Sequence, residues 1–273
     1  EDIKDLIADP NVELVDIATR SADHFEHAKM ALEAGKIVFL EKPMCLTYEQ
    51  AAELQKVAAA SDGDLFIRHN RRFEPGFQHI QEIIASGILG EVYEIKLRRV
   101  SYSRRDDWQT IIALGGGQLL NWGPHIVDHA LRFLQSPPVE IWSNLKKIAA
   151  VGDAEDHLKI IMTNQDGLVV DIIISGGAAL REPEYLIWGT RGGLTCTGSK
   201  ITLKYLNPET ELAPRSAKPG TPEIGHFGTP EKLDWIEKSI DVAPEGKAGM
   251  DHIWNELYST IREGTPFPIT LDQ

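Results

Sequence analysis

Apolar and polar positions divide the chain into two stretches with different periods. Over residues 1–70, Leu14–Ala18, Ile37–Leu40 and Leu65–Ile67 are short, mainly apolar runs with the length and composition of buried strands. Asp2–Ala8, Asp23–Ala34 and the alanine-rich Tyr48–Ser61 predict helices, and Thr47 is placed to cap the last of these. The resulting β-α-β-α-β order predicts parallel strands with right-handed crossovers, part of a doubly wound sheet. A further helix is predicted over Pro75–Ser86, ending at Gly87.

Beyond residue 90 the period becomes two. Val92–Val100 sets Tyr93, Ile95 and Leu97 on one face and Glu94, Lys96 and Arg98 on the other, the pattern of a half-buried strand. The run Gly115-Gly116-Gly117 leads into a predicted helix over Leu119–Leu134. Strand-like runs follow at Val139–Ile148, His157–Thr163, Leu168–Ser175, Tyr185–Trp188, Gly193–Cys196 and Lys200–Tyr205. Asn164-Gln165-Asp166-Gly167 marks a hairpin turn between two of them. Consecutive strands without crossover helices predict a large, mostly antiparallel open sheet, one face on a helix and the other free to meet a partner. Asn207–Pro230, rich in proline and glycine, reads as a long surface loop. Helices over Glu231–Val242 and Gly249–Glu263 and a short strand near Phe267–Ile269 complete the expectation. The fold class is α/β. Residues 1–72 form the remainder of a dinucleotide-type parallel sheet, and residues 73–273 an α+β unit whose last helix can return to the first.

Composition narrows the function. A net charge of −13 with no basic stripe argues against nucleic acid. The one basic cluster, Arg98-Arg99 with Arg104-Arg105, reads as a solvated face or a local anion contact. No apolar run approaches the roughly 18–20 residues needed to span a bilayer, so no membrane association is expected. Cys45 and Cys196 have neither metal-site nor disulfide-framework spacing, which points to a reducing cytoplasm. His125 and His129 are spaced to clasp zinc. The residues between them are not those of a metalloprotease helix, however, and no third ligand lies at motif spacing, so no metal is expected.

Glu41-Lys42-Pro43 follows directly on the Ile37–Leu40 run. A lysine at the carboxyl end of a parallel strand points into the crevice where open α/β sheets bind ligands. The proline behind it fixes φ and stiffens the turn. Taken alone, the tripeptide reads more readily as a solvated loop with an incidental lysine.

Three segments together resemble the Gfo/Idh/MocA family of NAD(P)-dependent oxidoreductases. They are Val15-Asp16-Ile17-Ala18-Thr19-Arg20-Ser21-Ala22-Asp23-His24 running on to Glu41-Lys42-Pro43; Asn70-Arg71-Arg72-Phe73-Glu74-Pro75; and Gly115-Gly116-Gly117-Gln118-Leu119-Leu120-Asn121-Trp122-Gly123-Pro124-His125-Ile126-Val127-Asp128. The resemblance implies a Rossmann domain, NAD or NADP as cofactor, and hydride transfer to or from a secondary hydroxyl or carbonyl of a sugar, polyol or similar small molecule. It implies that Lys42 lies near nicotinamide and substrate and that His125 is the acid/base. A histidine suits that task because its ordinary pKa lies near operating pH. Asn121 stands where the family commonly shows Asp. It keeps hydrogen-bonding capacity but loses the charge, and it is expected in the site both among the catalytic residues with Lys42 and His125 and as a substrate contact. Glu41, Thr19 and His24 are expected to face the cofactor, and Asn70 and Arg71 to reach nicotinamide or substrate. For His24 a structural role at the helix start competes, for Arg71 and Arg72 an interdomain salt bridge. Trp122 is expected to line the substrate pocket or to be a buried indole.

No G-x-G-x-x-G occurs in the chain. Family members carry that loop in two opening βα units of roughly 60 residues. The chain is therefore expected to be an N-terminally shortened member whose cofactor binding needs the missing units. Two other readings stand beside the dehydrogenase. One is a catalytically silent sugar-binding or assembly module, and the other is NAD-assisted glycoside cleavage with a transient hydride step. A homo-oligomer, dimer or tetramer, is expected through the open sheet.

Overall fold

The computed structural model describes residues 2–222, 227–243 and 247–273. Its first part follows the α/β expectation. Strands β1 (Leu14–Ile17), β2 (Ile37–Glu41) and β3 (Leu65–Arg68) pair in parallel in the order β1-β2-β3. Helix α1 (Ile3–Ala8) is capped by the Asp2 carboxylate, and α2 (His24–Glu33) joins β1 to β2. Helix α3 (Tyr48–Ala60) joins β2 to β3 and is capped by the Thr47 hydroxyl, which accepts from the Gln50 amide. Val38 and Leu40 of β2, Val15 and Ile17 of β1, and Ala28, Leu32 and Leu54 of the helices close one core. Because all three strands are parallel, their carboxyl ends emerge on one edge, and that edge carries Ala18, Thr19, Glu41, Lys42 and Arg68 onward.

Helix α4 (Pro75–Ala85) leads to the second sheet, which has eight strands in the order β11-β10-β9-β8-β4-β7-β6-β5. These are β4 (Val92–Val100), β5 (Glu140–Lys146), β6 (His157–Thr163), β7 (Val169–Ser175), β8 (Tyr185–Gly189), β9 (Gly192–Thr197), β10 (Lys200–Leu206) and β11 (Trp235–Asp241). Only the β4–β7 pair is parallel. The β6–β7 hairpin turns at Asn164–Gly167, where Asn164 Oδ1 accepts the Asp166 and Leu168 amides and Gly167 takes φ 85°. One face packs on α4 and α6 through Phe77, Ile80, Ala130 and Phe133. The opposite face exposes Tyr93, Trp188 and Trp235.

The predicted helix over Leu119–Leu134 is divided into α5 (Gln118–Asn121) and α6 (Gly123–Leu134). Pro124 has no N–H to return to the preceding turn, so the ladder breaks at Trp122 while the backbone stays helical. Asn121 and His125 thus keep nearly the one-turn offset of an unbroken helix. The segment predicted as a helix over Glu231–Val242 is instead strand β11, paired along its whole length with β10. Ile236 and Ile240, four apart, share a face in either structure. The β10 edge decides the outcome by offering a full hydrogen-bond ladder, and both isoleucines pack on the core. The strand expected near Phe267–Ile269 does not form. Pro266 and Pro268 flank Phe267 and remove the donors a ladder needs. Phe267 instead meets Phe66 edge-on at 4.9 Å, and Ile269 is buried with Phe39. The described part of the Asn207–Pro230 tract carries neither helix nor strand.

Helix α7 (Lys247–Glu263) returns to the parallel sheet. Trp254 meets Phe39 of β2 at 4.8 Å, and Ile253 and Leu257 are buried beside it. Among the described residues no helix is long and apolar enough to cross a membrane.

Candidate active site

The parallel strands end against the α5–α6 segment, and the cleft between them holds most of the residues singled out above. Lys42 follows β2 on a cis Lys42-Pro43 peptide. Its Nζ donates to the main-chain carbonyl of Asn121 at 3.0 Å and lies 3.9 Å from Glu41 Oε1. Glu41 Oε2 is 3.6 Å from Arg68 Nη1, and Arg68 Nη2 is hydrogen-bonded to Asp16 of β1. Arg68 also lies over Phe39 and Trp254, at 4.6 and 5.4 Å from their ring centroids, so a buried guanidinium ties β1, β2 and α7 together below the cleft.

The cleft has a volume of about 470 Å³ and is lined by Glu41, Lys42, Asn70, Arg71, Asn121, Trp122 and His125. A smaller extension of about 170 Å³ runs along the ends of β1 and β2 past Thr19, Ser21 and His24. Gly115 shapes the junction. At φ 76° its Cβ position lies 2.7 Å from Ser21 Cβ and 2.8 Å from a Leu46 methyl, so only glycine lets the α5 approach sit this close to the first sheet. Gly117 packs likewise on the Glu155 carboxylate, which accepts the Leu119 amide at 2.9 Å and caps α5.

His125 is buried in the first turn of α6, edge-on to Trp122 at 5.9 Å and to His69 at 6.4 Å. Its Nδ1 is enclosed without a partner among the described residues, so Nε2 is the nitrogen that reaches the cleft. Burial, then the nearby Lys42 and Arg71 cations, hold this imidazole neutral far below the ordinary histidine range. Burial likewise lowers the Lys42 pKa, opposed by Glu41 and assisted by Arg71. The Glu41 carboxyl is raised, with burial outweighing Lys42 and Arg68. A neutral imidazole and a lysine with lowered pKa thus face one cavity, where the imidazole can accept a hydrogen bond and the ammonium can donate one.

The other expected residues divide. Asn70 and Arg71 line the cleft. Arg71 is ion-paired with Glu74, and its guanidinium lies 4.4 Å from the Trp122 ring. Arg99 covers Trp122 as well, at 3.9 Å, so the indole is held between neighbouring cations as it borders the cleft. Arg72 is the interdomain bridge. It grips the Asp128 carboxylate of α6 through Nε and Nη2, at 2.9 and 2.6 Å. Thr19 is exposed at the extension, its hydroxyl 3.2 Å from His27 Nδ1. His24 borders the extension and also has a structural role. Its ring is buried, with Nδ1 2.7 Å from the Pro43 carbonyl and Nε2 3.1 Å from the Thr19 carbonyl, so it braces the two strand ends. His129 is structural too: stacked on Phe77 at 3.8 Å, it bonds Arg71 O and Tyr185 Oη.

Sequence reading missed Arg105, Gln109, Arg68 and Met250, which also line the cleft. Arg105 was visible only as part of a basic cluster, and Gln109 sits in the connection after β4, where no periodicity marks it.

Two family models match this chain: the NAD-binding Rossmann fold of the GFO/IDH/MocA oxidoreductase family over residues 1–69, and the GFO/IDH/MocA C-terminal domain over residues 77–195. The chain belongs to the GFO/IDH/MocA family. Among its relatives is the uncharacterized oxidoreductase YdgJ of Escherichia coli (strain K12), 34% identical over 193 residues, covering 69% of this chain and 55% of YdgJ. A second oxidoreductase, C26H5.09c of Schizosaccharomyces pombe, is 31% identical over 88% of this chain and 66% of its own length. The scyllo-inositol 2-dehydrogenase (NADP(+)) IolW of Bacillus subtilis is 26% identical over all of this chain and 75% of IolW. In fold, an NAD-binding protein from Listeria innocua superposes with a TM-score of 0.80 at 22% identity, covering all of this chain and 78% of that one. The chain thus spans between about half and two thirds of the first two relatives it matches.

The cleft at the carboxyl ends of β1–β3 fits the nicotinamide end of the family's cofactor. Lys42 and Glu41 would flank that ring, with Thr19 and Ser21 along the extension.

Proposed function

We propose that this protein is an NAD(P)-dependent dehydrogenase or reductase acting on a secondary hydroxyl or carbonyl of a sugar, polyol or related small molecule. The observation that carries the reading is the bond from Lys42 Nζ to the Asn121 carbonyl, which holds the lysine in the same cleft as a buried, neutral His125. The bound nicotinamide supplies the hydride acceptor or donor. His125 Nε2 accepts the hydroxyl proton in the oxidation direction and returns it in reduction. Lys42 donates to the substrate oxygen and stabilises negative charge that develops on it. Asn121 contributes a neutral amide where the family commonly places a carboxylate, so support for an imidazolium at His125 is weaker here. Arg71, stacked on Trp122, lines the cleft with it and restricts the substrate's orientation.

The test is a panel of sugars, polyols and their ketones with NAD(H) and NADP(H) and the intact protein, followed by nicotinamide absorbance. Turnover with at least one pair, lost in Lys42→Ala and His125→Ala, is expected. A panel with no absorbance change, on protein that binds either nucleotide, would remove the reading.

A further inference from the structure

Resting on that reading, we infer that the substrate is an anion, a hydroxylated carboxylic acid such as a sugar acid, and that Arg105 selects it. The inference comes from a hydrogen-bond chain through Arg105 and Gln109, two residues that neither the family motifs nor the proposed mechanism uses.

Arg105 Nη2 and Asn121 Nδ2 both donate to one atom, Gln109 Oε1; the Asn121 bond is 3.1 Å. A guanidinium has only donors, so it fixes the oxygen of the Gln109 amide towards itself. That oxygen in turn requires the nitrogen of the Asn121 amide. Asn121 Oδ1 is then the amide terminus left over, an acceptor at the cleft for a substrate hydroxyl. An aspartate at 121 would bring a carboxylate against Gln109 Oε1 in the arrangement Arg105 imposes. Asn121, Gln109 and Arg105 therefore belong together as a set.

The set makes the cleft more positive. Its ionisable lining consists of Lys42, Arg68, Arg71 and Arg105 against Glu41 alone, while His125 is neutral. The carboxylates paired with the arginines on their other sides, Asp16, Glu74 and Asp107, do not line it. Compared with an aspartate at 121 and no arginine at 105, the cavity is more positive by two charges.

Arg105 also has capacity to spare. Nε and Nη2 grip Asp107 at 2.8 Å each, and Nη2 reaches Gln109, which holds the guanidinium plane in place. Nη1, with two N–H groups, has no partner among the described residues, and Arg105 lines the cleft. Spare guanidinium donors on Arg105 and the Asn121 amide lining the same cleft suit a substrate that carries a carboxylate as well as hydroxyl groups.

The experiment compares kcat/KM of the intact enzyme for neutral sugars, for the uronic acids with the same ring hydroxyls, and for the sugar 6-phosphates. Parallel calorimetric titrations of the acids are run without turnover. The acids are expected to be preferred by about 10-fold or more, with the preference shrinking as salt is raised. Arg105→Ala should collapse the acid-to-neutral ratio by roughly 10–100-fold, and Arg105→Lys should restore part of it. Preference for neutral sugars or for phosphates, or an acid-to-neutral ratio unchanged in Arg105→Ala, would overturn the inference and leave the dehydrogenase reading standing. Acid binding that Arg105→Ala abolishes, in a protein that turns over nothing, would keep the anion site and remove the dehydrogenase. Neither turnover nor acid binding would remove both.

Discussion

His69 and His125 stand edge to face with ring centroids 6.4 Å apart, each with its Nδ1 enclosed and unpartnered among the described residues. His129, one turn beyond His125, is buried as well. Burial holds all three neutral; His69 and His129 are each pushed down to about 4, from an unfolded value near 6.5.

This arrangement makes the fold sensitive to acid. Between about pH 6.5 and 4 the unfolded chain takes up protons that the folded histidines refuse, so stability is full above this window and falls as pH drops through it. At pH 5 the loss is roughly 2 kcal/mol for each of His69 and His129. His125 acts in the same direction, and so does Asp128: burial raises its carboxyl, but the Arg72 bond, together with the charges of Arg72 and the neighbouring histidines, brings it below its ordinary range. Glu41 and Asp16, with raised pKa values, oppose this only towards the acid end. Denaturant midpoints at pH 7.5 and pH 5.0 should differ markedly in the parent and less in His69→Gln and His129→Gln. Equal midpoints in the parent at the two pH values would contradict the account.

Lys42 is held by a carbonyl 79 residues away, so its replacement affects position as well as charge. Lys42→Ala should lower kcat by about 10²–10⁴-fold while leaving the fold intact. Lys42→Arg keeps the charge, but the planar fork cannot reproduce a single bond to the Asn121 carbonyl, and it should recover little of the rate. Steady-state kinetics with circular dichroism check both variants. A Lys42→Ala enzyme with near-normal kcat would exclude the lysine from the chemistry.

The parallel sheet and its helices were legible because each element is short, strongly apolar and bounded by caps such as Thr47 or by Gly35. The central site residues were legible because they lie in contiguous motifs at strand ends. What escaped has a physical pattern. Trp235–Asp241 reads as helix or strand until the β10 edge is present. Pro266 and Pro268 cancel a strand that apolarity alone suggests. For His24 and Arg72 the sequence leaves two roles open, because the partners that brace them, the Pro43 carbonyl and the Asp128 carboxylate, lie far along the chain. Arg105 and Gln109 lie outside any periodic segment and reach the cleft only through tertiary folding.

Asn121 offers a direct probe of the site's electrostatics. A carboxylate there, one turn from His125, would favour the imidazolium and oppose the effect of Lys42 and Arg71. In the oxidation direction the base must be neutral, so kcat/KM should fall only at low pH in the parent. Asn121→Asp should move that acid limb upward, towards the ordinary histidine range near pH 6.5. A pH–rate profile that does not shift would mean that His125 is not the titrating base.

Arg72 and Asp128 join the turn after β3 to α6 and so fix the cleft's two walls relative to each other. Arg72 is buried, Asp128 is largely enclosed, and Arg72 contacts both carboxylate oxygens. Arg72→Met leaves the largely enclosed Asp128 carboxylate with only Arg132, 3.8 Å away, and should cost about 3 kcal/mol. Asp128→Leu strands the guanidinium and should cost a similar amount. The double variant removes both charges at once and should regain most of the loss, giving a coupling of roughly 2 kcal/mol or more in a double-mutant cycle. Kinetics separate this from a purely global effect. Because the pair sets the distance between Lys42 and His125, the double variant should recover stability without recovering kcat. Additive single effects, or full recovery of rate in the double variant, would show that the bridge does not position the site.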